Sequence, residues 1–308
     1  MSLAAISIDV DSIRHYHSIH GLEPGPPEEA DPIYATALPR FWELLDGRPA
    51  TLFLIGADAP RYAAAFEPAS RTGCEIASHS QAHDYRLTRL SKDAMHEDLA
   101  AAEAALLPLA GGQKPVGFRA PGYNQSPELL EVLVERGYVY DSSLLPAPAY
   151  FGARAVAIGA YSLRGTPSSS LLGRARAFSG PLSPYRTLPH AYWNADEAGT
   201  IWELPIGVEP RSRWPLIGTT WVGTPGPLRR SALRALTRRS LPFVFEMHAI
   251  DLLDAKDEGV PAELTARQPD LRISVKDKMR RLRELFEALS QDWELTVLAD
   301  WPDLLKSR

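Results

Sequence analysis

One cysteine, Cys74, stands among 308 residues, so no intramolecular disulfide can form and nothing points to an oxidising compartment. Following Gly73 and opening an apolar run, it reads as a small core residue. Long apolar stretches are also missing: none approaches the roughly 20 residues needed to cross a bilayer. The opening "MSLAAISIDVDS" has no basic leader and meets two acids after few apolar residues, unlike a secretion signal. These absences together give the expectation of a cytoplasmic protein. Positive charge is in deficit too, with a formal net charge of -5, so no global field gathers nucleic acid, and no nucleic-acid partner is expected. There is no internal repeat and no low-complexity tract.

A hydrophobic fraction of 45% with 23% charged residues belongs to a globular chain with a sizeable core. Short β-branched or aromatic runs at 4–9, 50–55, 75–78, 116–119, 138–141, 201–205, 243–248 and 295–298 alternate with longer helical patterns. That alternation predicts an α/β fold, a distorted (β/α) barrel of seven or eight strands. Residues 1–308 are read as a single domain. Ser91 and Ser126 are placed to cap two helices, the second ended by Gly137. A third helix carries Met279, Leu282, Leu285, Phe286 and Leu289 as one apolar stripe. Two stretches interrupt the pattern: 15–31, read as a loop rich in Pro and Gly, and an irregular insertion at about 145–200. Long loops on a compact barrel usually shape a binding site.

The reactive residues fall at one kind of position. Asp9 and Asp11 end the first expected strand, His79 and His83 follow the third, Arg119 ends the fourth, Asp141 the fifth and His248 the seventh. In a parallel barrel those strand ends share the face that holds the active site. One Asp with two His can give three ligands to a divalent ion and leave positions open, as in a catalytic rather than a structural metal site. Such an ion makes amide or ester hydrolysis feasible near neutral pH. A second carboxylate can take a proton from water and a separate His can protonate a departing nitrogen. Arg119 suits holding a carboxylate ionised.

These residues sit in motifs that resemble those of the NodB-like polysaccharide deacetylases, carbohydrate esterase family 4. "GCEIASHSQAH" (73–83) is similar to that family's metal-binding second motif, and "SIDVDS" (7–12) stands where its first acidic motif does. "FRAPGY" (118–123), "YDSS" (140–143) and "FVFEMHAIDL" (243–252) resemble the third, fourth and fifth. The resemblance implies one divalent metal ion, zinc first, with cobalt, nickel, manganese or magnesium compatible. It also implies removal of an acyl group from an amino sugar. Carried over by position, His79, His83 and Asp11 become metal ligands, Asp9 the general base, Arg119 its partner, His248 the general acid and Asp141 a further catalytic residue. Pro121 and Tyr123 fall on the substrate and oxyanion side, with a backbone amide near Tyr123 facing the oxyanion.

Val10 separates acids that are usually adjacent in the family, which leaves their two roles open from sequence, and the Trp usual near the fourth motif is replaced in "YDSSLLP". An Asp-Val-Asp motif also resembles branches acting on polysaccharide precursors or lipid-linked formamido sugars. The expected partner is thus an acylated amino sugar, free or carrier-linked; oligomeric state is left open. Two other classes remain: a non-catalytic carbohydrate-binding protein on this fold, and an amidohydrolase of small cyclic amides. His15, His17 and His20 are read as exposed loop histidines. The arginine-rich 227–240 reads as an outer barrel helix, with peripheral membrane contact as the other option. Trp193 and Trp221 are the aromatic candidates for stacking on sugar.

Overall fold

The computed structural model describes residues 1–23, 25, 30–163 and 173–307. Parts of both irregular stretches, 24, 26–29 and 164–172, therefore lie outside the described residues.

Seven parallel strands form the centre: β1 (Leu3–Val10), β2 (Thr51–Leu54), β3 (Glu75–Ser78), β4 (Gly117–Phe118), β5 (Tyr140–Asp141), β7 (Ile201–Glu203) and β8 (Phe243–His248). Their order is β7-β5-β4-β3-β2-β1-β8, with β6 (Tyr185–Thr187) antiparallel on the far edge of β7 and β9 (Glu294–Leu295) beside the start of β1. The ends of this sheet meet. Just past β7 the chain bends so that Ile206 bridges to Val244 of β8, and the Gly207 amide donates to the Val244 carbonyl at 2.8 Å. A Cβ at Gly207 would stand 2.2 Å from the Phe243 ring, so this closure requires glycine. The result is a distorted (β/α) barrel.

Both faces of each strand are covered, which is why β1 is buried along its whole length. Strand alternation sorts the side chains. Ala4, Ile6, Ile8 and Val10 join the core beneath the outer helices, whereas Leu3 and Ala5 join Phe53, Ala77, Tyr140, Leu204 and Val244 in a smaller cluster inside the barrel, with Trp301 against it. Higher in the same lumen the side chains turn polar: Ser7, Asp9, Arg119, Ser142 and Glu246 are all buried there. The barrel is thus apolar below and ionic above.

Ser91 and Ser126 cap their helices as expected, accepting from the amides of Ala94 and Leu129. Leu282, Leu285, Phe286 and Leu289 are the buried face of the helix Val275–Asp292. The arginine-rich helix Gly226–Arg239 packs on the core through Ala232 and Leu236. Cys74 is half-buried against that core, and burial raises its thiol. No helix among the described residues is long and apolar enough to cross a membrane.

Three readings change. The stretch after β1 begins not as a loop but as the helix Ile13–Ile19, held by Asp31, whose carboxylate accepts from the amides of Ile13 and Ile33. The insertion contains a 16-residue helix, Pro148–Leu163. Strand β6 had no counterpart in the sequence pattern, because three residues are too few to set a period.

Candidate metal and acid–base site

The period of two along β1 explains the Asp-Val-Asp motif: Val10 faces the helices, while Asp9 and Asp11 both face the mouth of the barrel. Their surroundings differ sharply. Arg119, fully buried, donates from Nη1 to Asp9 Oδ1 at 2.6 Å. Its other donors reach the Ser142 carbonyl and the hydroxyls of Ser7 and Ser142, and its plane lies 4.0 Å from the Phe53 ring. Burial alone would raise the Asp9 carboxyl, but Arg119, with His79 and His248, outweighs it and holds Asp9 below its ordinary value. Asp11 has no such cation. Burial pushes it up to about 8, and the nearby carboxylates of Asp9, Glu246 and Asp58 add to that against His248.

Facing Asp11 are the two histidines of the loop after β3. His79 Nε2 lies 3.6 Å and His83 Nε2 3.5 Å from Asp11 Oδ1. His79 Nδ1 stands 2.7 Å from the Arg119 carbonyl; a carbonyl only accepts, so Nδ1 carries the proton and the Nε2 lone pair points inward. Burial pushes His79 down to about 4 and His83 well below its ordinary value, so both rings are neutral. The loop is shaped to present them. Ser80 and His83 adopt left-handed backbone (φ 66° and 52°), the His83 amide donates to Ser80 Oγ, and Asp98 accepts from the amides of Gln81 and Ala82.

This donor set fits a divalent cation. Asp11 Oδ1 is buried without a hydrogen-bond partner, and one oxygen and two nitrogen donors lie within 4.8 Å of one another. Separations of 3.5–3.6 Å approach the roughly 3.3 Å between tetrahedral ligands at ~2.0–2.1 Å bonds. The neighbouring group Asp9, Glu246 and His248 also comes within 4.8 Å, but Asp9 is committed to Arg119 and His248 to Glu246.

His248 ends β8 directly beside Asp9 in register. Its Nδ1 stands 2.9 Å from Glu246 Oε1, and its Nε2 is 4.0 Å from both Asp9 and Asp11. Burial opposes its charge, yet Glu246, Asp9 and Asp11 raise it well above the ordinary value. Asp251 fixes the strand end by accepting from the His248 amide. His248, with 23% of its side chain exposed, borders a cleft of about 380 Å³ whose walls include Tyr16, Tyr85, Tyr123, Tyr150, Arg154 and Arg267.

The structure therefore brings together Asp9, Asp11, His79, His83, Arg119 and His248, and leaves other expected residues apart. Asp141 makes its hydrogen bonds in a network with Ser143, Gln125 and Glu203, sealed behind β5 and β7. Pro121 is buried at the start of the short turn Pro121–Tyr123. The Tyr123 amide is engaged in that turn, donating to the Ala120 carbonyl at 3.0 Å, so it is not the free oxyanion donor expected; Tyr123 lines the cleft with its ring instead. Gly122 must be glycine, since a Cβ there would stand 2.2 Å from the Tyr85 ring. Trp221 is 2% exposed in the core and Trp193 packs with Tyr192 and Arg176 away from the cleft; neither is a cleft aromatic. His15 is no exposed loop residue: it lies on the first helix, 3.5 Å from Asp58, its ring 4.6 Å from that of His83. Sequence reasoning missed Glu246 and the cleft tyrosines Tyr16, Tyr85 and Tyr150. Glu246 had a signal, lying two residues before His248 in a strand and so on the same face.

A model of the polysaccharide deacetylase family matches residues 31–140, the segment that holds His79, His83 and Arg119. The Helicobacter pylori peptidoglycan deacetylase is 25% identical over 147 residues, 46% of this chain and 50% of that one, so the chain spans about half the length of that relative in the match. The crystal structure of a Mycobacterium smegmatis polysaccharide deacetylase candidate superposes with a TM-score of 0.52 at 19% identity, covering 95% of this chain and 92% of that one. A Thermococcus litoralis 4-alpha-glucanotransferase gives 0.56 at 14% identity, over 98% of this chain and 38% of that one. At such identities the two structures speak for the fold alone, and the second shows that the barrel itself is shared more widely. The family model runs from Asp31 to Tyr140, the first residue of β5, and includes both histidines and the buried arginine: over this part of its length the chain is similar to the polysaccharide deacetylase family.

Proposed function

We propose that the protein is a metal-dependent amidohydrolase that removes an N-acetyl or N-formyl group from an amino sugar, within a polysaccharide precursor or on a lipid carrier. The observation that carries this reading is the opposite setting of two acids two residues apart. Asp9, ionised against Arg119, is prepared to accept a proton; Asp11, unpaired between two neutral imidazoles, is prepared to hold a cation.

Asp11, His79 and His83 would hold the ion. Bound there, a divalent cation, zinc by its match to one oxygen and two nitrogen donors, supplies Lewis acidity that lowers the pKa of water and polarises an acyl carbonyl. Asp9 takes the proton from the attacking water, and Arg119 keeps its carboxylate ionised between turnovers. His248 is charged and partly exposed to the cleft, so it donates a proton to the departing nitrogen, with Glu246 stabilising the imidazolium. Tyr16, Tyr85 and Tyr150 offer ring faces to the sugar.

Purified protein loaded with zinc, cobalt, nickel or manganese is expected to release acetate or formate from N-acylated amino sugars. His79→Ala and His83→Ala are each expected to lose the bound ion, by elemental analysis, and the release. Full release from a metal-free variant would overturn the mechanism, and tight sugar binding without release under any metal would favour a binding protein.

A further inference from the structure

We infer that the cleft beside His248 takes an acylamido sugar bearing an anionic oxygen group, carboxylate or phosphate, held by Arg154 and Arg267. This deepens the hydrolase reading and rests on it for the acylamido part only.

Both arginines line the cleft that contains His248, from separate elements, the helices Pro148–Leu163 and Ala262–Arg267. Each is half-buried and anchored by one hydrogen bond to a backbone carbonyl: Arg154 Nη1 to Gly122 at 2.9 Å, and Arg267 Nη1 to His20. Among the described residues neither forms a salt bridge. Four other sheltered arginines of this protein are matched by carboxylates, Arg14 by Asp58, Arg40 by Asp257, Arg119 by Asp9 and Arg136 by Glu103, all at 2.6–2.7 Å, whereas Arg213 and Arg281, outside this cleft, are bonded to backbone carbonyls as the cleft pair is. Most N–H donors on Arg154 and Arg267 are thus left for solvent or ligand.

The cleft lining holds one acid, Asp270. It does not answer the arginines, because it is 6% exposed and lies 3.7 Å from Lys278. A cationic cleft also runs against the chain as a whole, whose net charge is -5. The anion would sit close to the reacting group: Arg154 lies 5.8 Å from the centre of the Tyr85 ring, and that ring 5.4 Å from His83. A planar guanidinium fork matches the paired oxygens of carboxylate or phosphate, while the adjoining tyrosines match a sugar face.

The test compares three probes that differ in one group: N-acetylglucosamine, its 1-phosphate and its 6-carboxylate. Equilibrium binding to the metal-loaded protein and acetate release are measured for each. At least one anionic probe is expected to bind about tenfold or more tightly than the neutral one, and the better of the two names the group. Raised salt should narrow the gap, and an Arg154→Gln/Arg267→Gln protein should lose far more affinity for the anionic probe than for the neutral one. Equal affinity for all three probes overturns the subsite and leaves hydrolysis untouched; so does a preference that survives undiminished in the double variant, since the metal would then account for it. Anionic preference without acetate release from any probe upholds the subsite and counts against the hydrolase.

Discussion

Two pairs of acids lie at strand ends of this barrel, both buried, and they behave as opposites. At the mouth, Asp9 and Asp11 have a guanidinium on one side and two neutral imidazoles on the other, with an oxygen left unpartnered and a cleft alongside. Behind β5 and β7, Asp141 and Glu203 share the Gln125 amide, with the Ser143 hydroxyl and the Leu144 amide completing the set. Burial raises both of these acids, Glu203 well above its ordinary value with Asp141 adding to the effect, so the pair holds a proton, and the one remaining negative charge is met by the Gln125, Ser143 and Leu144 donors. Position at the carboxyl end of a strand does not separate reactive acids from structural ones. The separation comes from what each carboxyl lacks: the sealed pair has its hydrogen bonds complete, the mouth pair does not.

The largest effect should come from making the mouth resemble the seal. Arg119→Leu removes the charge that distinguishes Asp9 and leaves a buried, unpaired carboxylate, at a cost of about 3–5 kcal/mol. A urea midpoint should report that loss, and acyl release should vanish with it. A variant of unchanged stability would mean that Arg119 does not set the state of Asp9. Next, His248→Gln keeps a polar side chain but cannot deliver a full proton. The expected fall in kcat is about 10²–10⁴-fold, with bound metal unchanged by elemental analysis; parallel loss of metal would move His248 into the ligand set. The smallest effect is expected at the seal. Glu203→Gln imitates the protonated acid, so kcat should hold while the pH dependence of stability changes. With its folded pKa raised, Glu203 contributes stability fully present below the ordinary value of 4.5 and lost as pH rises through the folded value. The variant lacks that slope, so from 4.5 upward it should gain on the wild type in urea midpoint. Identical pH profiles would deny that the pair holds a proton.

Much of this arrangement was legible in the sequence where a local rule applied. The short strand-like run 243–248 places His248 at a strand end, and His79 and His83 follow another short strand, in a motif whose resemblance suggested a ligand pair. The partnership of Asp9 with Arg119 spans 110 residues; strand-end positions put both on one face, and only the resemblance of their motifs paired them. Elements with weak local signals were lost. The helix Pro148–Leu163 carries Gly152 and Gly159 and several aromatic or β-branched residues, all poor helix formers. The first helix, "IRHYHSI", has no side-chain cap and no acid in its first turn. Closure of the barrel through Ile206 and Gly207 is a single bridge, with no periodicity to announce it. Tryptophans drew attention as sugar platforms because of their neighbours in sequence, whereas tertiary packing buried Trp221 and brought four tyrosines to the cleft instead.

The left-handed residues at the rim have one more consequence. Ser80, His83 and Tyr123 carry side chains in a backbone region that costs roughly 1–2 kcal/mol each, and such conformations persist only while their surroundings enforce them. The rim is therefore the part of the molecule most ready to relax on warming, while the strands beneath it still hold. Heat should silence this protein some degrees before it melts it, and thermal hardening of the barrel alone would not move that earlier threshold.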